Sequence, residues 1–518
     1  MSSEQSHRTA SGWISLGAQL ASQNRFREAA DCFRHALAAD PTDSLAQKNL
    51  AICQEWLRDF SGAISSYERL LQADPNNAET HIRLGDMHVM LNEFEFAVES
   101  YQNAIRLGSD DGRAHQNLGS ALATLGRYDE AIGYFRRAIA QAPGRAELYR
   151  GLGMVLSKSL AYDEAEQSLR RALNLEPNNS LTHTTLGTTL QLAGHIDDAL
   201  VHFSRALQLN PSDPEPRMRR ATCLLTKGDF EQGWIDYEAR KDLGYFRYRH
   251  IEPRWEGEPL AGRTLLVETE QGLGDTIQFI RYLAEIKRHH TGKVILACEP
   301  PLIAMLSGIA GADLLVAQDT PRPPFDCWVP LMSLARIFGP APLPAHKPYL
   351  SADAVRVSHW RSRLASMPGR KIGIAWQGSP TYPGDAERSI PLSHFLRLQE
   401  IPGVALICLQ KGFGVEQIAV HPNNRIVTFE DQLDAGGAFL DTAAIMMNLD
   451  LVICSDTSIP HLAGALGIPV WLGLSFAPHW RWQLHGDRTP WYPTMHLFRQ
   501  THRGNWADVF DRIANELT

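Results

Sequence analysis

A 34-residue pattern recurs seven times between about Ala10 and Tyr237, and its register never shifts. Every unit carries a small residue at its eighth position, and these residues lie 34 apart: Gly17, Ala51, Gly85, Gly119, Gly153, Gly187 and Ala221. Six units carry an alanine twelve residues later and a large apolar residue four residues after that. Small residues let two antiparallel helices approach closely, and large residues fill the gap between successive hairpins. The pattern therefore predicts a stack of helical hairpins.

The pattern resembles the tetratricopeptide repeat, which implies an α-helical superhelix with a concave groove. Grooves of this kind commonly bind a peptide or another protein. In protein-modifying relatives of similar plan, asparagines at the sixth repeat position contact the peptide backbone. From that position the resemblance implies three candidate acceptor contacts: Asn49, Arg83 and Asn117. The alternatives are that the array forms a homo-oligomer or only spaces the second half of the chain.

Length, charge and cysteine spacing indicate a multidomain protein of the cytoplasm. The 518 residues predict about three domains, and the net charge of -8 gives no basis for binding nucleic acid. The seven cysteines are scattered singly, without zinc or disulfide spacing. The polar N-terminus predicts no signal peptide, and no apolar run is long enough to predict a transmembrane segment.

After Arg254, short apolar strands alternate with helices, and this alternation predicts parallel sheets covered by helices. We predict strands at 264–267, 293–298, 371–376, 404–410, 425–429, 451–455 and 470–474. Two Rossmann-like domains would then enclose a ligand cleft at the carboxyl ends of their strands. The predicted domains are a flexible N-terminus at 1–9, the repeat array at 10–243 with a degenerate last unit, and α/β domains at 254–350 and 368–518, the latter closed by a C-terminal helix. A proline-rich stretch at 340–348 begins the connection between the α/β domains.

Two of the loops at the predicted strand ends carry glycines beside polar residues. In the first, Gly272 and Gly274 allow a sharp turn before Asp275, but a dinucleotide fingerprint needs a third glycine where Ile277 stands. Asp275 is then either a functional carboxylate or only a helix cap. The second loop has three candidate contacts for a phosphate, unless it is simply a solvated loop: Gly378, Ser379 and Arg388.

The third loop, at 455–467, follows an apolar strand and opens a helix. Free backbone amides at a helix start bind anions, because the positive end of the helix dipole faces the ligand. Asp456 would repel a phosphate, so we expect it to accept hydrogen bonds from sugar hydroxyls. His461 is either a ligand contact or a buried structural histidine.

Residues 254 to about 515 resemble glycosyltransferase family 9, the group of the bacterial heptosyltransferases, which has the GT-B fold. The resemblance lies in Gly272-Leu273-Gly274-Asp275, in Asp456-Thr457 with His461-Leu462-Ala463-Gly464, in Trp480-Arg481-Trp482 and in Pro490-Trp491-Tyr492-Pro493. The overall plan is also similar to that of the O-linked N-acetylglucosamine transferases, in which a repeat array precedes a GT-B enzyme.

The resemblance implies a catalytic base at Asp275 and a nucleotide-sugar donor bound by Asp456, Thr457 and His461. It implies Arg388 as the cation that holds the diphosphate, with Lys411 as the second candidate. The remaining implied donor contacts are Gly272, Gly274, Gly378, Ser379, Gln410 and Gly464. Ser458 stands where heptosyltransferases usually have glycine, which argues against ADP-heptose as the donor.

The implied activity is inverting transfer of a sugar to a protein hydroxyl, without a cofactor or a metal. The chain has no Asp-x-Asp triplet, and Asp385-Ala386-Glu387 is interpreted as a solvated turn. A bacterial surface or flagellar protein is the acceptor class to test first. The alternatives are an adaptor with an inactive enzyme domain, a transferase acting on lipopolysaccharide or polysaccharide, and a nicotinamide-dependent oxidoreductase. The glycine turn and Glu299 suggest the oxidoreductase, and Ile277 argues against it.

Overall fold

The protein is described from a computed structural model that covers residues 9–108, 112–244, 250–339, 343, 347–382, 384–429 and 432–518. The predicted flexible N-terminus lies outside these residues except for residue 9, and so does most of the proline-rich stretch at 340–348. The chain forms two compact units, one up to Leu190 and one over Gln191–Thr518. The sequence predicts a division near residue 243. In the structure the division falls earlier, because the last repeats share their hydrophobic core with the α/β part.

The first unit consists of paired helices that follow the predicted repeat. Its helices are α1 Ala10–Ser22, α2 Phe26–Ala39, α3 Ser44–Trp56, α4 Phe60–Ala73, α5 Ala78–Met90, α6 Phe94–Arg106, α7 Arg113–Thr124, α8 Tyr128–Gln141, α9 Ala146–Lys158, α10 Tyr162–Leu175 and the first part of α11 Ser180–Ala193. Asp43, Asp59 and Asn77 cap the starts of α3, α4 and α5 with their side chains.

The small and large repeat positions meet as the pattern predicts. A Cβ added at Gly119 would lie 2.9 Å from the ring of Phe135 in the same hairpin. A Cβ added at Gly151 of the next hairpin would lie 2.4 Å from the opposite side of that ring. Phe135 therefore fills both the space within its hairpin and the space between hairpins, and the predicted packing is confirmed.

The second unit begins with the end of the array, formed by α12 Ile196–Leu209, α13 Pro214–Lys227 and α14 Phe230–Tyr237. Trp234 of the degenerate last repeat is 2% exposed and meets the rings of Phe279 and Trp480 edge to face, at centroid distances of 5.7 and 5.3 Å. The prediction that this repeat packs on the following residues is confirmed.

A first parallel sheet follows, with strand order β3-β2-β1-β4. Its strands are β1 Thr264–Glu268, β2 Lys293–Cys298, β3 Leu314–Ala317 and β4 Cys327–Pro330, and its helices are α15 Leu273–Phe279, α16 Leu283–His289 and α17 Leu334–Ile337. In the centre, Leu266 pairs with Ile295 on one side and Trp328 on the other. The sequence did not predict β3 and β4, which have only four residues each.

A second parallel sheet has strand order β6-β5-β7-β8-β9. Its strands are β5 Arg370–Ala375, β6 Val404–Cys408, β7 Leu451–Cys454, β8 Val470–Leu474 and β9 Met495–Arg499, and its helices are α18 Ala354–Leu364, α19 Asp385–Arg388, α20 Leu392–Leu396, α21 Leu440–Met446, α22 Ser458–Leu466 and α23 Trp506–Leu517. The strand predicted at 425–429 makes a single bridge, from Val427 to Ile407, and β9 was not predicted. Both sheets are parallel, so the predicted α/β class is confirmed.

One hydrophobic core runs through both α/β halves, from Phe279 and Tyr282 to Trp491 and Tyr492. Arg281 of the first half strengthens this junction by donating to the backbone oxygen of Trp491 at 2.9 Å. Its guanidinium also lies 4.7 Å from the ring centre of Tyr492. The two halves are therefore packed together around a preformed cleft.

Candidate functional site

A cavity of about 870 Å³ lies where the carboxyl ends of the two sheets face each other. The loops after β1, β5, β6 and β7 line it, together with His479 and Arg481. Asp275 lines it, and so do most of the predicted donor contacts: Gly272, Gly274, Gly378, Ser379, Arg388, Gln410, Lys411, Asp456, Thr457 and His461. The loops that the sequence singled out thus meet in one space.

Asp275 lies in the first turn of α15 and uses both of its carboxylate oxygens. Oδ2 accepts a hydrogen bond from the backbone N–H of Gly272 at 2.9 Å. Oδ1 accepts one from Nη2 of Arg481, and the Asp275 side chain is 17% exposed. The helix-cap interpretation is therefore confirmed, and the same carboxylate also faces the cavity. A carboxylate that faces a guanidinium is a weaker proton acceptor than a free one.

The loop before Asp275 is held by the last repeat. Gln271 has a left-handed backbone, with φ of 66°, which is uncommon for a residue other than glycine. Its side-chain Nε2 donates to the hydroxyl of Tyr237 at 3.0 Å. The end of the array therefore helps to fix the loop that carries Asp275.

Arg388 and Gly378 lie close together, as the second loop predicts. A Cβ added at Gly378 would lie 2.5 Å from Nη2 of Arg388, so a larger residue there would displace the guanidinium. The guanidinium lies 4.4 Å from the ring centre of Tyr382 and donates through Nε to Asp385 at 3.1 Å. The predicted solvated turn is wrong for Asp385, because this side chain is buried. Its hydrogen bond from Nε orients the Arg388 guanidinium.

Gln410 and Lys411 line the cavity but are engaged by the backbone. The Gln410 amide accepts from the N–H groups of Trp376 and Gln377 and donates to the oxygens of Gln377 and Phe413. This side chain joins the ends of β5 and β6, which is a structural role, and its donor contact stays a prediction. Nζ of Lys411 donates to the backbone oxygens of Leu433 and Asp434. Since an ammonium has three N–H groups, one more is left to donate to a ligand.

The start of α22 is capped by Thr457, whose hydroxyl accepts from the N–H of Ile459 at 3.3 Å. Burial raises the pKa of the neighbouring Asp456 to about 6, against opposing effects of Trp482 and Arg388. His461 is stacked on Trp482 at a centroid distance of 5.3 Å, and its Nδ1 lies 3.0 Å from the Tyr492 hydroxyl. His461 is therefore packed as a structural histidine and also lines the cavity, and its contact with a ligand stays a prediction.

Gly464 is not at the cavity, and this prediction is corrected. It lies in the interior of α22, where a Cβ would come within 2.4 Å of the Tyr492 ring. Its place in the motif is explained by close helix packing.

Gly464→Ala is expected to destabilise the second unit by about 1–3 kcal/mol, because the overpacking against Tyr492 exceeds the gain of up to about 1 kcal/mol in helix propensity. Urea unfolding measures this. Gly133→Ala is the matched control, since Gly133 lies in α8 with no neighbour within 4 Å of an added Cβ, and it is expected to stabilise the first unit. Stabilisation by both alanines would contradict the close packing.

Stability of the second unit is expected to fall by about 1.4 kcal/mol per pH unit between pH 6 and pH 5. Burial lowers the pKa of His461 and of His479 to about 3, and that of Asp456 rises to about 6. The histidines contribute stability that is present above about pH 6.5 and is lost as the pH falls. Asp456 has the opposite effect. Its contribution to the free energy of unfolding is present below about pH 3.9 and is lost as the pH rises through 6. Two histidines outweigh one aspartate.

Urea titrations at the two pH values measure this dependence. His479→Gln should clearly reduce this dependence, because it removes one of the two histidines whose pKa is about 3. An equal slope in wild type and His479→Gln would contradict the assignment.

The three predicted groove residues lie in the first unit and two of them have partners there. Arg83 pairs with Glu55 at 3.2 Å and with Glu79 at 3.1 Å. Nδ2 of Asn117 donates to Asp86 at 2.9 Å, and Asn49 is half-buried. A peptide would meet Arg83 and Asn117 as parts of hydrogen-bonded networks.

Within the described ranges, no group of three or more His, Cys, Asp or Glu side chains is placed to hold a metal ion. No helix in that part of the chain has the length and apolar character needed to cross a membrane.

Family models described as tetratricopeptide repeat match residues 16–78, 82–146 and 122–187. The matched residues are tetratricopeptide repeats. The protein FlbA of Caulobacter vibrioides is 29% identical over 325 residues, which cover 58% of this chain and 54% of FlbA. The chain thus spans about half the length of this curated relative.

Solved structures of repeat proteins are similar to parts of the chain. The MamA protein is 27% identical with a TM-score of 0.31, covering 32% of this chain and 92% of MamA. YrrB, described as a TPR protein with an unusual peptide-binding site, is 21% identical with a TM-score of 0.32, covering 36% of this chain and 96% of YrrB. A tetratricopeptide repeat protein from Parabacteroides merdae is 15% identical with a TM-score of 0.41, covering 46% of this chain and 94% of that protein.

Proposed function

We propose that the protein is a cytoplasmic, inverting GT-B glycosyltransferase that moves a sugar from a nucleotide-sugar to a hydroxyl of a protein bound by the repeat array. The observation that carries this proposal is the cavity between the sheets, which brings Asp275 from the first half and the start of α22 from the second into one space. Clefts at the carboxyl ends of parallel strands are the usual ligand sites of such sheets.

The second half supplies groups suited to a nucleoside diphosphate. The amides at the start of α22 favour an anion, and the Arg388 guanidinium suits phosphate oxygens. Asp456, next to them, suits sugar hydroxyls as an acceptor. We propose that these groups hold the donor without a cofactor or a metal.

In the proposed reaction, the acceptor oxygen forms a bond to the anomeric carbon while the bond from that carbon to the diphosphate breaks. The acceptor proton passes to Asp275, and the electron pair of the broken bond leaves on the nucleoside diphosphate. Arg388 and the α22 amides would stabilise the charge that develops there. Attack from the side opposite the leaving group inverts the sugar configuration.

A panel of nucleotide-sugars in a thermal-shift assay tests the donor. A ligand at 100 times its dissociation constant stabilises the folded state by about 2.7 kcal/mol, which is readily measured. The first acceptors to test with the stabilising donor are bacterial surface and flagellar proteins. If no nucleotide-sugar or nucleoside diphosphate shifts the transition of the full chain, the proposal is wrong.

The second candidate function is an adaptor whose α/β half no longer transfers sugar. The pairing of Asp275 with Arg481 favours it, because a neutralised carboxylate is a poor base. A chain that binds nucleotide-sugar but neither transfers nor hydrolyses it, with any acceptor that the array binds, would support the adaptor.

A further inference from the structure

Arg481 is a cation of the cavity to which the sequence assigned no role. It lies in a short 3-10 helix, Trp480–Trp482, and its side chain is 7% exposed. Its Nη2 donates to Oδ1 of Asp275, which stands 206 residues earlier in the chain. The two side chains thus connect the halves across the cleft.

The rest of the guanidinium is held in place by its surroundings. Nε donates to Oε1 of the buried Gln278, and Nη1 donates to Nδ1 of His479 at 2.8 Å. The guanidinium also lies 4.5 Å from the ring centre of Trp480. These contacts fix the plane of the group and direct Nη2 toward Asp275.

The other two cations that line the cavity are engaged differently. Lys411 donates to backbone oxygens, and Arg388 is oriented by the buried Asp385. Asp275, the partner of Arg481, itself lines the cavity. An anion in the cavity can therefore compete with Asp275 for Arg481. A diphosphate is a strong competitor, because it carries more negative charge and offers oxygens that suit a guanidinium.

We propose that Arg481 exchanges Asp275 for the diphosphate of the bound donor, so that Asp275 becomes an effective proton acceptor only when a donor is present. This inference rests on the proposed function. It makes Arg481 a positioning residue for the base as well as a contact for the leaving group. It also resolves the difficulty that the pairing raises for catalysis.

The exchange has a consequence that a purely structural role for Arg481 lacks. Since Asp275 and the diphosphate compete for one guanidinium, removing the charge of Asp275 must strengthen diphosphate binding. Asp275→Asn keeps an oxygen that can accept from Gly272, so the start of α15 is preserved.

Calorimetric titration of the full chain with inorganic pyrophosphate, at constant pH and ionic strength, tests the exchange. Asp275→Asn is expected to bind about tenfold more tightly than wild type, and Arg481→Met about 10–100-fold more weakly. Arg481→Lys should recover part of the loss. In the double variant Asp275→Asn with Arg481→Met, pyrophosphate affinity should be no higher than in Arg481→Met alone.

Asp236→Asn is the matched control. Asp236 is buried and its Oδ2 lies 2.6 Å from Nε of Arg220, and neither residue lines the cavity. It should leave pyrophosphate affinity unchanged. Should Asp275→Asn fail to fold, Asp275→Ser carries the same test. Equal or weaker binding by a folded Asp275 variant overturns the exchange, as does a wild type that binds no pyrophosphate. The nucleotide-sugar panel tests the proposed function separately, since a donor can bind and react without this gain in affinity.

Discussion

Asp275→Asn is expected to lower the turnover of the proposed glycosyl transfer by about 10²–10⁴-fold while the proposed donor still binds. The asparagine amide has nearly the shape of the carboxylate but cannot take the acceptor proton. The measurement is the initial rate with the donor identified by thermal shift, at saturating donor and acceptor. The loss should appear in kcat, because the substitution leaves the proposed donor contacts of α22 and Arg388 unchanged.

Asp236→Asn again serves as the control and should keep the wild-type rate. Full turnover by Asp275→Asn would remove this residue from the mechanism, and the base would then have to be sought elsewhere in the cavity. Together with tighter pyrophosphate binding, a lost rate would separate the two roles of Asp275, as a competitor for Arg481 and as a proton acceptor.

The repeat array could be predicted from the sequence because its signals are local and periodic. Four of the small positions, Gly17, Gly85, Gly119 and Gly153, meet the large residue that follows 16 positions later in the same hairpin. A Cβ added at Gly85, for example, would lie 2.6 Å from the Tyr101 ring. Seven copies of one spacing leave little freedom for another fold. The division into compact units was less accessible, because it depends on Trp234 and Tyr237 joining a core built mostly by later residues.

The position of the candidate site followed from strand order, since the carboxyl ends of parallel strands share one edge of the sheet. The loops after β1, β5 and β7 were therefore expected to meet, and they line one cavity. What each side chain does there was less predictable. Lys411 and Gln410 satisfy backbone groups, and Gly464 packs against Tyr492, because partners far apart in sequence decide these roles.

The strand errors have a similar origin. The segment at 425–429 is apolar enough for a strand, but only Val427 pairs, with Ile407. In contrast, β9 pairs along its whole length with β8, and it was missed because a histidine and an arginine interrupt its apolar character.

The junction between the array and the first sheet depends on a buried ion pair. Arg240 and Glu270 are each 1% exposed, and two hydrogen bonds of 2.9 and 2.7 Å join them. Arg240 comes directly after the last repeat, and Glu270 directly precedes the Gln271 loop of the cavity. The pair therefore holds the end of the array against the loop that carries Asp275.

Arg240→Met is expected to destabilise the second unit by about 3–5 kcal/mol, because it removes the guanidinium that donates two hydrogen bonds to the buried Glu270 carboxylate. The backbone N–H of Met332, which donates to Glu270 at 3.1 Å, cannot replace a guanidinium. The free energy of unfolding from urea titration measures the effect. Since Glu270 adjoins the cavity loop, pyrophosphate affinity should fall in the same variant.

Arg425→Met is the matched control, because Arg425 pairs with Glu400 at 3.1 Å while 62% of its side chain is exposed, and its loss should cost about 1 kcal/mol or less. The double variant Arg240→Met with Glu270→Leu separates charge from packing. If the broken ion pair with Glu270 causes the loss, the double variant should recover part of the stability, since apolar replacement of a buried pair is often neutral. Equal loss in the single and double variants would instead assign the effect to the other contacts of the arginine side chain, which include Glu238 and Ser333, each at 2.9 Å.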